Sequence, residues 1–312
     1  MSYLVTGGAG FIGSHIAEAL VKRGERVRIF DNLSTGRRDN IASFADDVEL
    51  VIGDLRDAEQ IAAAVEGVEV VFHQAALASV PLSVERPLDT HAACATGTLN
   101  LLWQAKQAGV RRVVYVASSS LYGDRPTASN RETDAPRPLS PYAVAKLAGE
   151  YYCQAFHQSF DLETVCLRYF NVFGPRQDPD SPYSAVIPLF ITAMLSGRSP
   201  TVFGDGRQSR DFTFVENVVH GNLLAADAAG VSGSSFNLAN GRSTSLLTLI
   251  ARLNEFLGLQ IEPDFAPARV GDIKDSMADI TQARTQLGYE PQVHFDEGLH
   301  RSIAYYREAL GV

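Results

Sequence analysis

Through its first half the chain alternates short apolar runs with stretches whose apolar positions recur every three or four residues. The runs at 3–6, 26–30, 48–52, 68–73 and 112–117 read as strands. The periodic stretches at 12–23, 58–65, around 90–108 and at 142–160 read as helices. Strands that are apolar on consecutive positions are buried on both faces, and strand followed by helix at this pace requires crossover connections. An α/β fold follows, with a parallel sheet covered on both sides. After about Arg168 the pattern changes, with Pro175, Pro179, Pro182, Pro188, Pro200 and Phe203-Gly204-Asp205-Gly206 punctuating it. That segment reads as loops and short helices capping the strand ends. The runs at 212–215 and 235–238 are expected to return to the main sheet. No flexible linker, repeat or low-complexity tract separates the parts, so a second domain would be woven into the first.

Composition narrows the partners. A chain of 312 residues can bury a large core, and 46% hydrophobic with 20% charged residues is ordinary for a soluble protein. The net charge of -9 argues against nucleic acid, which needs a basic face, but leaves room for a phosphorylated small molecule held by a few arginines. Cys94, Cys153 and Cys166 are scattered, with no CxxC pair, and read as apolar fillers in a reducing compartment. No metal site is expected. The first strand begins almost at once, and no signal segment or membrane-length apolar run appears, so no membrane is expected and a cytoplasmic location is.

The turn Gly7-Gly8-Ala9-Gly10-Phe11-Ile12-Gly13 lies between the first strand and the first helix. Glycines there permit a tight turn and close approach of a pyrophosphate to unpaired helix N–H groups. Asp31 ends the second strand, where a carboxylate can accept both ribose hydroxyls of an adenosine and repel a 2′-phosphate, which favours NAD over NADP. Arg37 and Arg38 read as solvated. Asp54 and Leu55, after the third strand, suit an adenine contact, with a turn or N-cap carboxylate as the bland alternative for Asp54.

Ser140-Pro141-Tyr142 opens a helix, with Ser140 as N-cap and Pro141 in its first turn. Tyr142 and Lys146 then share one face, a turn apart. A free phenol titrates near pH ~10. A neighbouring ammonium, joined by the cation of an oxidised nicotinamide, would stabilise the phenolate and make Tyr142 a general base near neutral pH. Ser118 or Ser119, after the strand ending at Ala117, can bond the same substrate hydroxyl and relay its proton.

With these residues in this order, the chain resembles the extended short-chain dehydrogenase/reductase family, in particular its nucleotide-sugar epimerases. The matching segments are 6–13, 31–36, 53–55, 73–76, 118–123, 140–146 and 167–174. The resemblance implies a Rossmann-type doubly wound sheet holding NAD, with a smaller interwoven α/β domain for the sugar nucleotide. The implied division is 1–170 plus about 212–240 for the NAD unit, and about 171–211 and 241–312 for the sugar-nucleotide unit. It adds Asn32, Ser34, Thr35, Gly36, Gln74, Ala75, Ala76 and Tyr169 to the cofactor contacts. It also implies a homodimer through the helices near 90–108 and 142–158. By motif, Asn171 would meet the diphosphate or sugar, Arg210 would hold a phosphate, and Arg269 and Asp272 would reach the diphosphate and uridine ribose; a guanidinium fits that forked geometry.

Two departures shape the expected reaction. Cys94 stands where relatives carry an asparagine that supports the nicotinamide region. Ser119-Ser120 follow Ser118 where the resembling dehydratases place Asp-Glu, so no acid is at hand to eliminate water, and epimerisation is favoured. Ser276 occupies the place of a residue that, when large, confines the family's site to plain hexoses. That small side chain, with the stretch containing Val186, resembles the subgroup acting on UDP-N-acetylhexosamines. The expected reaction is interconversion of UDP-N-acetylglucosamine and UDP-N-acetylgalactosamine, with UDP-glucose and UDP-galactose as further substrates. The alternatives are a UDP-glucose or UDP-glucuronate 4-epimerase and, from a different class, a catalytically idle NAD-binding regulator.

Overall fold

The structure, a computed structural model, describes residues 1–125, 129–179, 185–268 and 273–312. Its centre is a seven-stranded sheet, parallel throughout. The strands are β1 (Ser2–Thr6), β2 (Arg26–Asp31), β3 (Val48–Ile52), β4 (Val70–His73), β5 (Arg112–Ser118), β6 (Glu163–Tyr169) and β7 (Ser234–Leu238). Their spatial order is β7-β6-β5-β4-β1-β2-β3. The winding reverses between β1 and β4, which opens a crevice beyond their carboxyl ends, where such sheets bind ligands.

The apolar runs behave as buried strands should. Val5, Phe72, Val114 and Val116 face one core, while Leu4, Val71, Val113 and Tyr115 face the other. Helices α1 (Phe11–Lys22) and α5 (Val215–Asp227) cover the first face through Ile16, Leu20, Val218 and Leu223. Helices α2 (Ala58–Val65), α3 (Gly97–Gln107) and α4 (Pro141–Phe160) cover the second. Local chemistry sets their starts. The Asp57 carboxylate accepts from the N–H groups of Glu59 and Gln60 to cap α2, and Ser140 accepts from Ala143 N ahead of Pro141 to cap α4.

The helix expected around 90–108 is interrupted: a short helix at Pro87–His91 runs into a wide turn at Ala92–Thr96 before α3 begins. A second correction concerns the runs expected to rejoin the sheet. Ser234–Leu238 does so, as the edge beside β6. Thr213–Phe214 does not. It pairs with Val172–Phe173 in a separate two-stranded sheet, because Thr213 N donates to Asn171 O just past the end of β6. Phe173, Phe212 and Phe214 then seed a third core with Ile187, Phe190, Leu249 and Ile303. That core lies in the chain after β6 and carries the loops that face the crevice.

Candidate active site

The cavity beyond the strand ends has a volume of about 1500 Å³. This exceeds the roughly 300–1,000 Å³ of a typical small-molecule site, so it has room for two sizeable ligands in contact. It runs without a break from the glycine turn to Arg210 and Ser276.

At one end, Gly7 has φ +67°, and a Cβ there would come within 2.7 Å of the Ala75 backbone. A Cβ on Gly13 would lie 2.1 Å from Gly7 O, so only glycine lets α1 approach the turn this closely. No side chain caps the N-terminus of α1, and Gly10, Phe11, Ile12 and Gly13 line the cavity there. The first-turn N–H groups and the helix dipole make this a site for an anion such as a pyrophosphate. Asp31, 7% exposed, receives Ala9 N at 3.0 Å and Leu33 N at 2.8 Å. Burial raises its pKa, and those two N–H groups draw it back. Two acceptor oxygens in the wall, each with a lone pair left, suit a pair of sugar hydroxyls. The residues present therefore fit a dinucleotide.

Asn32, Ser34, Thr35, Gly36, Asp54 and Leu55 line the same end, as do Gln74, Ala75, Ala76 and Tyr169. Asp54 is a turn carboxylate. It accepts from Arg56 N and the Arg56 guanidinium, which holds its carboxyl well below the usual range, and from Asn32 Nδ2 at 2.9 Å. Arg37 is not simply solvated, since it pairs with Asp178 at 2.7 Å across the cavity rim, whereas Arg38 is exposed. Tyr169 is braced from behind by Asn222, whose Nδ2 donates to the phenol oxygen at 2.6 Å, and it donates onward to Gln74 Oε1 at 3.1 Å. Asn222 had no signal in the sequence, being a polar residue on the buried face of an apolar helix.

Ser118, Ser119, Tyr142 and Lys146 line the middle of the cavity. Ser118 Oγ accepts from Ser120 N at 3.2 Å and from Ser120 Oγ at 2.9 Å. With both lone pairs engaged, the Ser118 hydroxyl has its proton free to offer the neighbouring Tyr142 phenol, whose pKa it draws down. Ser120 was missed as a site residue, although it sits in the same serine run. Enclosure by the protein pushes the Tyr142 phenol well above its ordinary value, the nearby Cys94 thiol adds to this, and the Ser118 bond draws it back. Lys146 is itself pushed down to about 8 by burial, and its Nζ lies 4.5 Å from the centre of the Tyr115 ring.

At the far end, Asn171, Arg210 and Ser276 line the cavity. Ser276 N donates to Ser209 O, and Arg210 Nη1 donates to Ser209 O and Lys274 O, so the two side chains ride on adjoining backbone. Val186 does not reach the cavity. It opens the helix Val186–Leu195 and packs against the third core, while Ala185 takes its place in the wall. Arg269 and Asp272 lie outside the described residues. Tyr305 and Tyr306, from the last helix, also line the cavity, a placement their helical pattern could not reveal. Cys94 is buried against Ala95 and Ala145 and does not line the cavity, whose wall is supplied there by Ala93.

Comparison with known proteins agrees with this geometry. Residues 3–239 match the NAD dependent epimerase/dehydratase family. The chain is 39% identical to a UDP-glucose 4-epimerase of Mycolicibacterium smegmatis over 311 residues, covering 98% of this chain and 99% of that one. It superposes on a UDP-glucose 4-epimerase of Thermotoga maritima, solved with UDP-glucose, with a TM-score of 0.95 and 37% identity over 99% of this chain and 100% of the other. A UDP-N-acetylglucosamine 4-epimerase of Methanobrevibacter ruminantium, in complex with UDP-N-acetylmuramic acid, gives 0.94 and 39% over 99% and 98%.

Proposed function

Since this chain belongs to the NAD dependent epimerase/dehydratase family and its cofactor is NAD, we propose that it is a UDP-sugar 4-epimerase that interconverts UDP-N-acetylglucosamine and UDP-N-acetylgalactosamine and also accepts UDP-glucose and UDP-galactose. The observation that carries this is the single cavity in which Ser118, Tyr142 and Lys146 sit between the glycine turn and the Arg210–Ser276 wall. The glycine turn, Asp31 and the 32–36 loop would hold NAD, and Arg210 and Asn171 the sugar nucleotide. NAD, when bound, supplies a hydride acceptor and donor and a positive charge beside the phenol. Tyr142 takes the proton from the C4 hydroxyl and returns it to the opposite configuration. Ser118 keeps a donor on the phenol oxygen throughout, which favours the phenolate. Lys146 holds positive charge close by.

Ser276 leaves space beside the sugar's 2-substituent for an N-acetyl group, and a small wall residue does not exclude the smaller hydroxyl. The UDP-glucose epimerases among its relatives support the plain-hexose arm. Incubation with each UDP-sugar, reading product configuration at C4 by proton NMR, should show both pairs interconverting with no net NADH. Turnover of UDP-glucose alone would overturn the N-acetyl assignment, and turnover of neither would overturn the activity. Ser276→Tyr should then depress the N-acetyl reaction by roughly 10- to 100-fold, the effect of overfilling a packed wall, while sparing UDP-glucose.

We further propose a homodimer. Trp103 on α3 is 42% exposed and Tyr151 on α4 51%, with Val144 and Phe160 continuing the apolar strip, and Trp103 meets Phe160 edge-on. Light scattering should give a dimer for the native chain and a monomer for the Trp103→Glu/Tyr151→Glu double variant. A variant that stays dimeric would place the interface elsewhere.

A further inference from the structure

Lys146 poses an electrostatic problem. Its side chain is within a residue that is 1% exposed, and among the described residues no carboxylate pairs with it. Around it stand the thiols of Cys94, of Cys153 on its own helix and of Cys166 on β6. His73 from β4 and Tyr115 from β5 are also near, and the Tyr142 phenol lines the same cavity one helical turn back along α4. Burial raises the thiols of Cys94 and Cys166 and both phenols, which disfavours their anionic forms. A buried ammonium with no carboxylate partner among the described residues is favoured by another source of negative potential. The face of an aromatic ring is one, and the Tyr115 ring lies 4.5 Å from Nζ.

Three independent features fix that ring. The Tyr115 hydroxyl donates to the carbonyl of Lys146 itself at 3.1 Å. Gly149, one turn further along α4, leaves the space the ring occupies: a Cβ there would come within 2.3 Å of Tyr115 Oη and 2.6 Å of Cζ. Glycine in mid-helix is unfavourable by itself, so its presence is explained by this close approach. His73 borders the ring at 5.5 Å and is held at both nitrogens, by Thr6 Oγ1 at 2.7 Å and Thr98 Oγ1 at 2.9 Å. Burial first, and Lys146 second, push His73 down to about 3, so it adds no like charge.

We propose that Tyr115 is the positioning residue for Lys146, its ring face taking the place of a carboxylate in holding the buried ammonium charged beside Tyr142. This rests on the reading of Tyr142 and Lys146 as the reacting pair. Its primary test needs no substrate. The chain's lysines are Lys22, Lys106, Lys146 and Lys274, so the holoenzyme labelled with ¹³C at lysine Cε gives few resonances, and Lys146→Met assigns the one in question. In the native protein that resonance should titrate near pH 8. Tyr115→Phe, which keeps the ring, should leave the midpoint in place. Tyr115→Leu should lower it by about one pH unit, a ten-fold change in the protonation equilibrium. The alkaline limb of kcat should move by the same amount, which a merely structural role would not produce. Should Tyr115→Leu fail to fold, Gly149→Ala displaces the ring from behind and should lower the midpoint likewise. An unchanged midpoint in the variants that displace or remove the ring, or a Phe variant that behaves like Leu, would overturn the proposal. Failure of every UDP-sugar assay would leave the titration result standing and refute only the activity.

Discussion

Tyr142→Phe should lower turnover by about 10²- to 10⁴-fold, the range expected when a positioned acid–base group is lost, while cofactor content and unfolding midpoint stay native. The substitution removes one oxygen from the cavity wall and leaves the ring, the Ser140 cap and the helix untouched. That oxygen is the atom whose pKa Ser118 draws down, and Ser118 has no spare lone pair with which to act as base while Ser120 engages it twice. Ser118 therefore cannot take over as base. Ser118→Ala should lose less, because the phenol survives, but it removes the bond that draws the phenol down. The pH profile adds a second check. With Lys146 at about 8, the charged amine is present below that pH and lost above it, so kcat should fall as pH rises through 8. Lys146→Met should abolish that limb. Initial rates of C4 epimerisation, with bound NAD measured separately, decide the matter. Near-native turnover of the Phe variant would remove Tyr142 from the chemistry.

The features legible in the sequence were the local ones. Helix α2 spans the expected residues because Asp57 and the apolar period at Ile61, Ala64 and Val65 are contained within the segment itself. The glycine turn and Asp31 were readable because strand, turn and helix follow directly in sequence. What depends on distant partners was not. Thr213–Phe214 has the composition of a buried strand, yet its partner is chosen by Asn171, about forty residues earlier in the chain. Val186 has the apolar character of a pocket wall and of a helix core alike, and composition cannot separate the two. Lys146 and Tyr142 share a helix face and are readable together, whereas the ring that meets the ammonium comes from β5. One clue to that ring was present: Gly149 interrupts a good helix just after the lysine, the mark of a close approach from outside.

The same argument, that a buried charge must be matched by a fixed partner, leads to the largest expected change in stability. Glu150 is fully buried on α4 and grips Arg168 on β6 through two bonds, at 2.5 and 3.1 Å, while Ser235 on β7 donates to it at 2.8 Å. Burial works against the Arg168 charge, and the Glu150 and Tyr122 contacts outweigh it, leaving the guanidinium firmly charged. Arg168 also donates to the Tyr122 oxygen at 2.7 Å, Tyr122 donates to Asn237 Oδ1 at 2.7 Å, and Asn237 Nδ2 donates to Asn130 O and Asp279 O. Glu150→Ala strands the guanidinium inside the protein and should destabilise the fold by about 3–5 kcal/mol, read as a lower urea midpoint at unchanged slope. Replacing both partners, Glu150→Leu with Arg168→Met, should recover most of the loss, because the penalty comes from the unpaired charge and not from the missing bond. The network continues through Asn130, which pairs with Met277 O and Asp279 N beside Ser276. Weakening it should therefore raise KM for the UDP-sugar before it loosens the dinucleotide, whose site lies at the other end of the cavity. A Glu150→Ala protein within about 1 kcal/mol of the native one would mean that water reaches Arg168, and that the pair is not the fixed strut between α4, β6 and the sugar-facing loop.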